Sequence, residues 1–231
     1  MKVLILTNTA LENNAVEKVW DGILERSINI GTFPNFEGKM NNNTIAHVHI
    51  ANSYHAIPQL INIVNPDTIL FVGELIGRCN VTKCGDIIIA NEIVTSVDNA
   101  LESCNITHSM KANCDVFQYI ADDSKNIKVH MGQIELSSIS QENRSPKEWL
   151  IPGKLNVIGV DIGTMNVYTL IRSHNELTKS KIDYLLVKGV SNNGTQPEGA
   201  NEQNLKRIAA ERSADWILQF CKEAAPYLGK Q

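Results

Sequence analysis

The chain alternates between short β-branched apolar runs and segments whose apolar residues recur at helical spacing. Val3–Leu6 reads as a first buried strand with Thr7–Ala10 as its exit. Leu11–Arg26 then reads as a helix, because Leu11, Ala15, Val19, Ile23 and Leu24 fall near one face and Trp20 can join them. Residues 31–43 are polar and rich in Asn and Gly, which predicts a loop or hairpin. Ile45–Ile50 predicts a strand, with His47 and His49 alternating along it and read as a solvated edge rather than a metal-ligand pair. Residues 53–64 predict a helix closed by Asn65-Pro66, with Pro58 acceptable only in its first turn.

Thr68–Val72 is almost continuously apolar, as a strand covered on both faces must be. It runs into a glycine-bounded turn, Gly73–Gly77, and then a Cys84-Gly85-Asp86 corner that leads to a second such strand, Ile87–Val94. Further along, Ala112–Ala121 suggests a helix, Lys128–Leu136 a strand, and residues 137–153 a mobile loop. Asn156–Ile162 predicts a strand feeding a helix over Met165–Arg172. Tyr184–Val190 is a strand followed by a loop over 191–201, and Leu205–Glu223 closes the chain as an amphipathic helix. Strands and helices thus alternate throughout. The fold class is α/β, three-layered, with a mixed and mostly parallel central sheet wrapped by helices. No shift in composition divides the 231 residues, so one domain over 1–231 is expected. In such sheets ligands gather at the carboxyl ends of the strands.

Composition narrows the function. Lys and Arg total 21 against 25 Asp and Glu, with no basic block, which argues against a nucleic-acid partner. No apolar run approaches a membrane span, and no membrane partner is expected. The five cysteines are scattered and form no metal-ligand pattern. They read as reduced thiols of a cytoplasmic protein. No metal and no cofactor is expected.

The order strand, Gly-x-x-x-Gly, Gly-Asp, strand in PDTILFVGELIGRCNVTKCGDIIIANEIV resembles the nucleoside phosphorylase and nucleosidase superfamily. Ile5-Leu6-Thr7 with Leu11-Glu12 and Ala15-Val16 is similar to that family's first strand and helix. Val129-His130-Met131-Gly132-Gln133-Ile134 is similar to its VHVGPI stretch, Val160-Asp161-Ile162-Gly163-Thr164 to its VDMEG motif, and Val187-Lys188-Gly189-Val190-Ser191-Asn192 to its IKGISD motif. The resemblance spans roughly residues 2–222. It implies a metal-free α/β protein, a homo-oligomer (dimer, trimer or hexamer), and a small nucleoside or nucleotide as ligand.

The same resemblance implies the site. Glu12 matches the carboxylate that orients or deprotonates water; a helix-start Glu favoured by the macrodipole explains it equally. Gly73 and Glu74 fall in the phosphate or nucleophile loop, where Glu74 replaces a small residue and would repel phosphate unless it faces solvent or pairs with Arg78. Gln133 falls beside the base, or in a plain core strand. Ile162 would pack on the ribose, and Asp161 next to it is mainly structural. Gly163 stands where the family places a glutamate on the ribose diol, so a contact worth about 1.5–3 kcal/mol per hydrogen bond is missing. Lys188 is a site cation or a structural one. Ser191 bonds its neighbour or begins the loop. Asn192 replaces the acid that protonates the departing base, and an amide can donate a hydrogen bond but not a proton. Two functions follow: a purine N-ribohydrolase, favoured over a phosphorylase, or a catalytically inactive member that binds nucleosides or serves assembly.

Overall fold

The computed structural model describes residues 1–27, 33, 35–97, 100–105, 127–137, 157–162, 164–194 and 201–223. The helix expected over 112–121, all but the first residue of the loop expected over 137–153, and the site position Gly163 lie outside them, and Ser137 ends a strand instead of opening that loop. The strands are β1 (Lys2–Thr7), β2 (Leu24–Ser27), β3 (Asn35–Met40), β4 (Asn43–His49), β5 (Thr68–Gly77), β6 (Ile87–Val97), β7 (Ala100–Asn105), β8 (Val129–Ser137), β9 (Val157–Ile162) and β10 (Asp183–Asn192). The helices are α1 (Ala10–Val19), α2 (Ile57–Val64), α3 (Met165–Thr178) and α4 (Glu202–Glu223).

One mixed sheet joins these strands. Parallel ladders run β4–β1–β5–β10, and the β2–β3 hairpin extends the β4 edge antiparallel. At the other end the sheet closes on itself. β10 pairs with β6, β6 with β8, β8 with β9, and β9 returns to β5 through Ile76–Val160 and Gly77–Gly159. Alternation along β1 shows how the layers form. Leu4 and Leu6 pack with Ile57, Leu60 and Ile61 of α2 and Val167 and Ile171 of α3. Val3 and Ile5 pack on the opposite face with Val16 of α1 and Ala214, Ile217 and Phe220 of α4. That is the period-two pattern of a strand buried on both faces.

Several boundaries differ from the sequence reading for local reasons. α1 ends at Val19 rather than Arg26, because the Trp20 amide closes on Val16 O and the chain then turns into β2. Asn41 and Asn42, both at positive φ, make the two-residue turn of the β3–β4 hairpin. The segment 53–64 splits into a 3-10 turn at Tyr54–Ala56 and α2, which carries Pro58 in its first turn and ends at left-handed Asn65. Gly73–Gly77 is not a loop. β5 continues through it, since β10 and then β9 pair with its backbone. Ser191 and Asn192 likewise end β10 instead of opening a loop. His47 is not on a solvated edge. β4 is paired on both sides, and His47 is fully buried, stacked on Phe36 and bonded to Thr7 Oγ1 at 3.0 Å. Burial, helped by neighbouring His49, lowers its pKa to about 3.

Candidate active site

The carboxyl ends of β1, β5 and β10 lie side by side because the three strands are parallel neighbours. The start of α1 and the end of β9 meet them there. Glu12 reaches this point as the third helical residue of α1. Thr9 caps the helix, its hydroxyl accepting from the Glu12 amide at 3.2 Å. Glu12 Oε2 returns the favour by accepting from the amides of Asn8 at 2.9 Å and Thr9 at 3.0 Å. Glu12 Oε1 is held more loosely. It accepts from the Glu74 amide at 3.2 Å and faces Lys188 Nζ at 3.5 Å.

Lys188 is the centre of the cluster. Its side chain is 2% exposed, and Nζ also pairs with Asp161 Oδ2 at 3.1 Å and stands 4.7 Å from the centroid of the Phe71 ring. Burial by itself would lower the Lys188 pKa. Asp161 first and Glu12 next outweigh it, and the net shift is upward, so Lys188 is a cation at neutral pH. Asp161 is held on its other oxygen by the Thr164 hydroxyl.

Gly73 makes this arrangement possible. Its φ is +151°, and a Cβ there would overlap the Glu12 carboxylate and crowd Lys188 Nζ. Its carbonyl accepts from the buried Ser213 hydroxyl of α4 at 2.9 Å. Glu74 follows, half-buried, with Oε2 accepting from the Ser191 hydroxyl; Ser191 also meets Leu75 O at 3.1 Å. Arg78 does not take the role of its partner and instead donates to Val157 O at 3.3 Å. Burial, the largest influence, raises the Glu74 pKa, and the nearby charge of Glu12 adds to it. The Ser191 bond, Lys206 and Lys188 pull the other way without cancelling the rise.

No protein-family model matches this sequence, and no curated protein matches it. Solved structures do match. The 5'-methylthioadenosine/S-adenosyl homocysteine nucleosidase of Campylobacter jejuni aligns with TM-score 0.72 at 14% identity, over 96% of this chain and 99% of that one. The enzyme of the same name from Helicobacter pylori aligns with TM-score 0.69 at 16% identity, over 95% and 97%. Futalosine hydrolase of Helicobacter pylori aligns with TM-score 0.67 at 16% identity, over 94% and 96%. The chain has the nucleoside phosphorylase/nucleosidase fold.

Within that fold, seven of the residues singled out by sequence come together: Glu12, Gly73, Glu74, Asp161, Lys188, Ser191 and, one step along β10, Asn192. The Asn192 carboxamide oxygen is engaged by the Gly194 amide at 2.7 Å. Ile162 is 36% exposed at the end of β9, next to Asp161. Gln133 lies across the closed part of the sheet, between Glu92 and Val157, and no hydrogen bond joins it to the cluster. Among the described residues no group of three or more His, Cys, Asp or Glu is arranged to hold a metal ion, and no helix is long and apolar enough to cross a membrane.

Four supporting residues escaped the sequence reading. Thr9 was legible in principle, because Thr-x-x-Glu ahead of an apolar run is a capping-box signature. Asn8 and Tyr54 had no such signal. The Asn8 side chain donates to Tyr54 Oη at 3.0 Å and accepts from the Asn52 amide at 2.9 Å, which fixes the β1 exit whose amides hold Glu12. Ser213 reaches Gly73 from the far end of the chain, a contact no local pattern could announce.

Proposed function

We propose that this chain binds a purine nucleoside or nucleotide at the strand ends beside Glu12, Lys188 and Glu74, and hydrolyses its N-glycosidic bond. The observation that carries this reading is the charge state of the cluster. Lys188, its buried cation, is already held by the carboxylates of Glu12 and Asp161. Among the described residues of the cluster, a phosphate nucleophile would meet net negative charge and no free cation. Water meets no such barrier. The same negative balance favours the transition state of glycosidic cleavage, in which positive charge grows on the sugar.

Glu12 Oε1 is the oxygen that would take the proton from water. Its contacts are 3.2 and 3.5 Å long, whereas Oε2 is committed to the helix cap at 2.9 and 3.0 Å. Ile162, apolar and part-exposed beside Asp161, would face the ribose. The similar Helicobacter and Campylobacter nucleosidases and the futalosine hydrolase support a small nucleoside-like ligand. A further structure supports nucleoside binding. It is an Asp-to-Asn variant of the Helicobacter pylori enzyme with 5'-methylthioadenosine in the active site, aligned with TM-score 0.68 at 16% identity over 94% of this chain and 96% of that one. Asn192 gives the second reading, a binding protein without catalysis, its specific support: its oxygen is spent on Gly194, and an amide carries no transferable proton.

The deciding assay incubates the protein with adenosine, inosine, methylthioadenosine, uridine and ATP, with and without phosphate, and measures free base. Hydrolysis predicts release that is independent of phosphate and lost in Glu12→Gln. Saturable nucleoside binding by calorimetry with no release from any substrate replaces it with the binding reading.

A further inference from the structure

Glycosidic cleavage leaves an electron pair on a base nitrogen, and the reaction is slow unless a positioned acid protonates it. Asn192 cannot do this. Another acid stands one residue away. Glu74 Oε2 is bonded to the hydroxyl of Ser191, the residue immediately before Asn192, and the Glu74 backbone is tied to Glu12 Oε1 at 3.2 Å. β5 and β10 hold this geometry rigidly, with Glu74 opposite Gly189 and a register shift between Val190 and Asn192 that sets the end of β10. The two carboxyls therefore belong to one cluster in unlike settings. Glu12 accepts from three backbone amides and faces Lys188. Glu74 accepts from a single hydroxyl and is half-buried.

We propose that Glu74 is the general acid of this site, delivering to the departing base the proton that Asn192 cannot supply. The proposal rests on the hydrolase reading above. In the step, the C1′–N bond breaks and its electron pair goes to the base nitrogen, which takes the Glu74 proton. The water oxygen bonds to C1′ and its proton goes to Glu12. The sum is nucleoside plus water giving free base and ribose, and the proton on Glu12 returns to Glu74 through solvent. The groups facing Glu74 are Glu12 from α1, Ser191 and Lys188 from β10, and Lys206 from α4. The upward shift of its pKa, led by burial, extends the pH range over which the acid holds its proton.

The test pairs two substrates. A purine nucleoside needs its leaving group protonated, whereas p-nitrophenyl riboside expels a stable phenolate and does not. Glu74→Gln is expected to lower kcat on the nucleoside by about 10²–10⁴-fold and to lower p-nitrophenyl riboside hydrolysis far less. Adding Asn192→Asp to Glu74→Gln is expected to recover nucleoside cleavage, because a carboxyl returns beside Ser191. In the wild-type protein, the rate on the nucleoside is expected to fall as pH rises through the Glu74 pKa, and the rate on p-nitrophenyl riboside is not. That profile needs no variant, so a misfolded Glu74→Gln leaves the test intact. Equal losses on both substrates, or identical pH profiles, overturn the acid role. Full nucleoside activity in Glu74→Gln overturns it too and leaves the hydrolase standing. A wild-type protein inactive on every substrate removes the hydrolase and the acid together.

Discussion

Two Gly–acid pairs flank the turn that joins β5 to β6, and they meet opposite fates. At Gly73-Glu74 the glycine makes room for a buried ion cluster, and the carboxyl beside it finds one hydroxyl donor. At Gly85-Asp86 the carboxylate is saturated. Asp86 accepts from the Lys83 amide at 2.9 Å, the Lys128 amide at 3.3 Å and His130 Nε2 at 2.8 Å. Burial pushes both acids upward, and the donors decide the outcome. Three hydrogen bonds and the His130 partner bring Asp86 below the usual range, whereas Glu74 stays above it. The lesson is that similar dipeptides become a structural corner or a chemically poised group according to how many donors the tertiary structure supplies.

The comparison can be broken most forcefully at Lys188. Lys188→Met leaves Glu12 and Asp161 as buried carboxylates without a counter-charge, and a loss of about 3–5 kcal/mol is expected in urea unfolding at pH 7. A loss below about 1 kcal/mol would mean that the two acids find other partners. In the wild-type protein the raised Lys188 pKa contributes stability that is complete below the ordinary value of 10.5 and disappears as pH climbs through the folded-state pKa.

Next in size are the two glycines. Each has positive φ, +151° at Gly73 and +89° at Gly85, so alanine costs about 1–3 kcal/mol of backbone strain at either. The neighbours differ. A Cβ at Gly73 would meet the Glu12 carboxylate, fixed by backbone amides, whereas at Gly85 it would meet the guanidinium tip of Arg212, which can swing aside. Thermal melts should therefore rank Gly73→Ala as the more damaging change, and the reverse order would contradict the fixed geometry assigned to Glu12.

Asp86→Asn should cost about 1–3 kcal/mol at pH 7, because it weakens a set of charge-assisted bonds and takes from His130 its carboxylate partner. The sign with pH follows from the depressed folded pKa. Asp86 stabilises above the unfolded value of 3.8, and this is lost as pH falls through the folded pKa, so wild type and variant should converge in strong acid. Glu74→Gln gives the smallest change and the opposite sign. Its raised folded pKa means that ionisation at higher pH opposes folding. The variant should be slightly more stable than wild type near neutral pH and equal to it below the ordinary glutamate value of 4.5. Paired pH–stability curves for the two variants would collapse the contrast if they moved in the same direction.

Much of the architecture was legible because burial imposes periodicity. β1, β5, β6 and β10 were readable as apolar runs, and the amphipathic spacing of α4 placed it within a few residues of its observed start. The errors sit where pairing overrides composition. Gly73–Gly77 has the glycines of a loop but lies in a strand, since β10 and β9 satisfy its backbone groups. His47 looked like an edge residue because alternation cannot reveal that a β2–β3 hairpin covers the far side of β4. For the candidate site, motif resemblance singled out Glu12, Gly73, Glu74, Asp161, Lys188 and Ser191, and the fold brings these six positions together. Gln133 lies apart from them.

What the sequence determined alone was the inventory: a β-rich alternation that demands a sheet covered on both faces, an acid at 74, an amide at 192 and no carboxylate at 163. Those are local facts, written in residue type and spacing. Tertiary structure alone decided which acids share the charge of Lys188, which oxygen of Glu12 is spent on a helix cap, and why Glu74 and Asp86 shift in opposite directions. Each of these depends on donors and charges brought from distant strands and helices. Electrostatics at a few ångströms in a low-dielectric interior is set by that assembly, not by the order of residues along the chain.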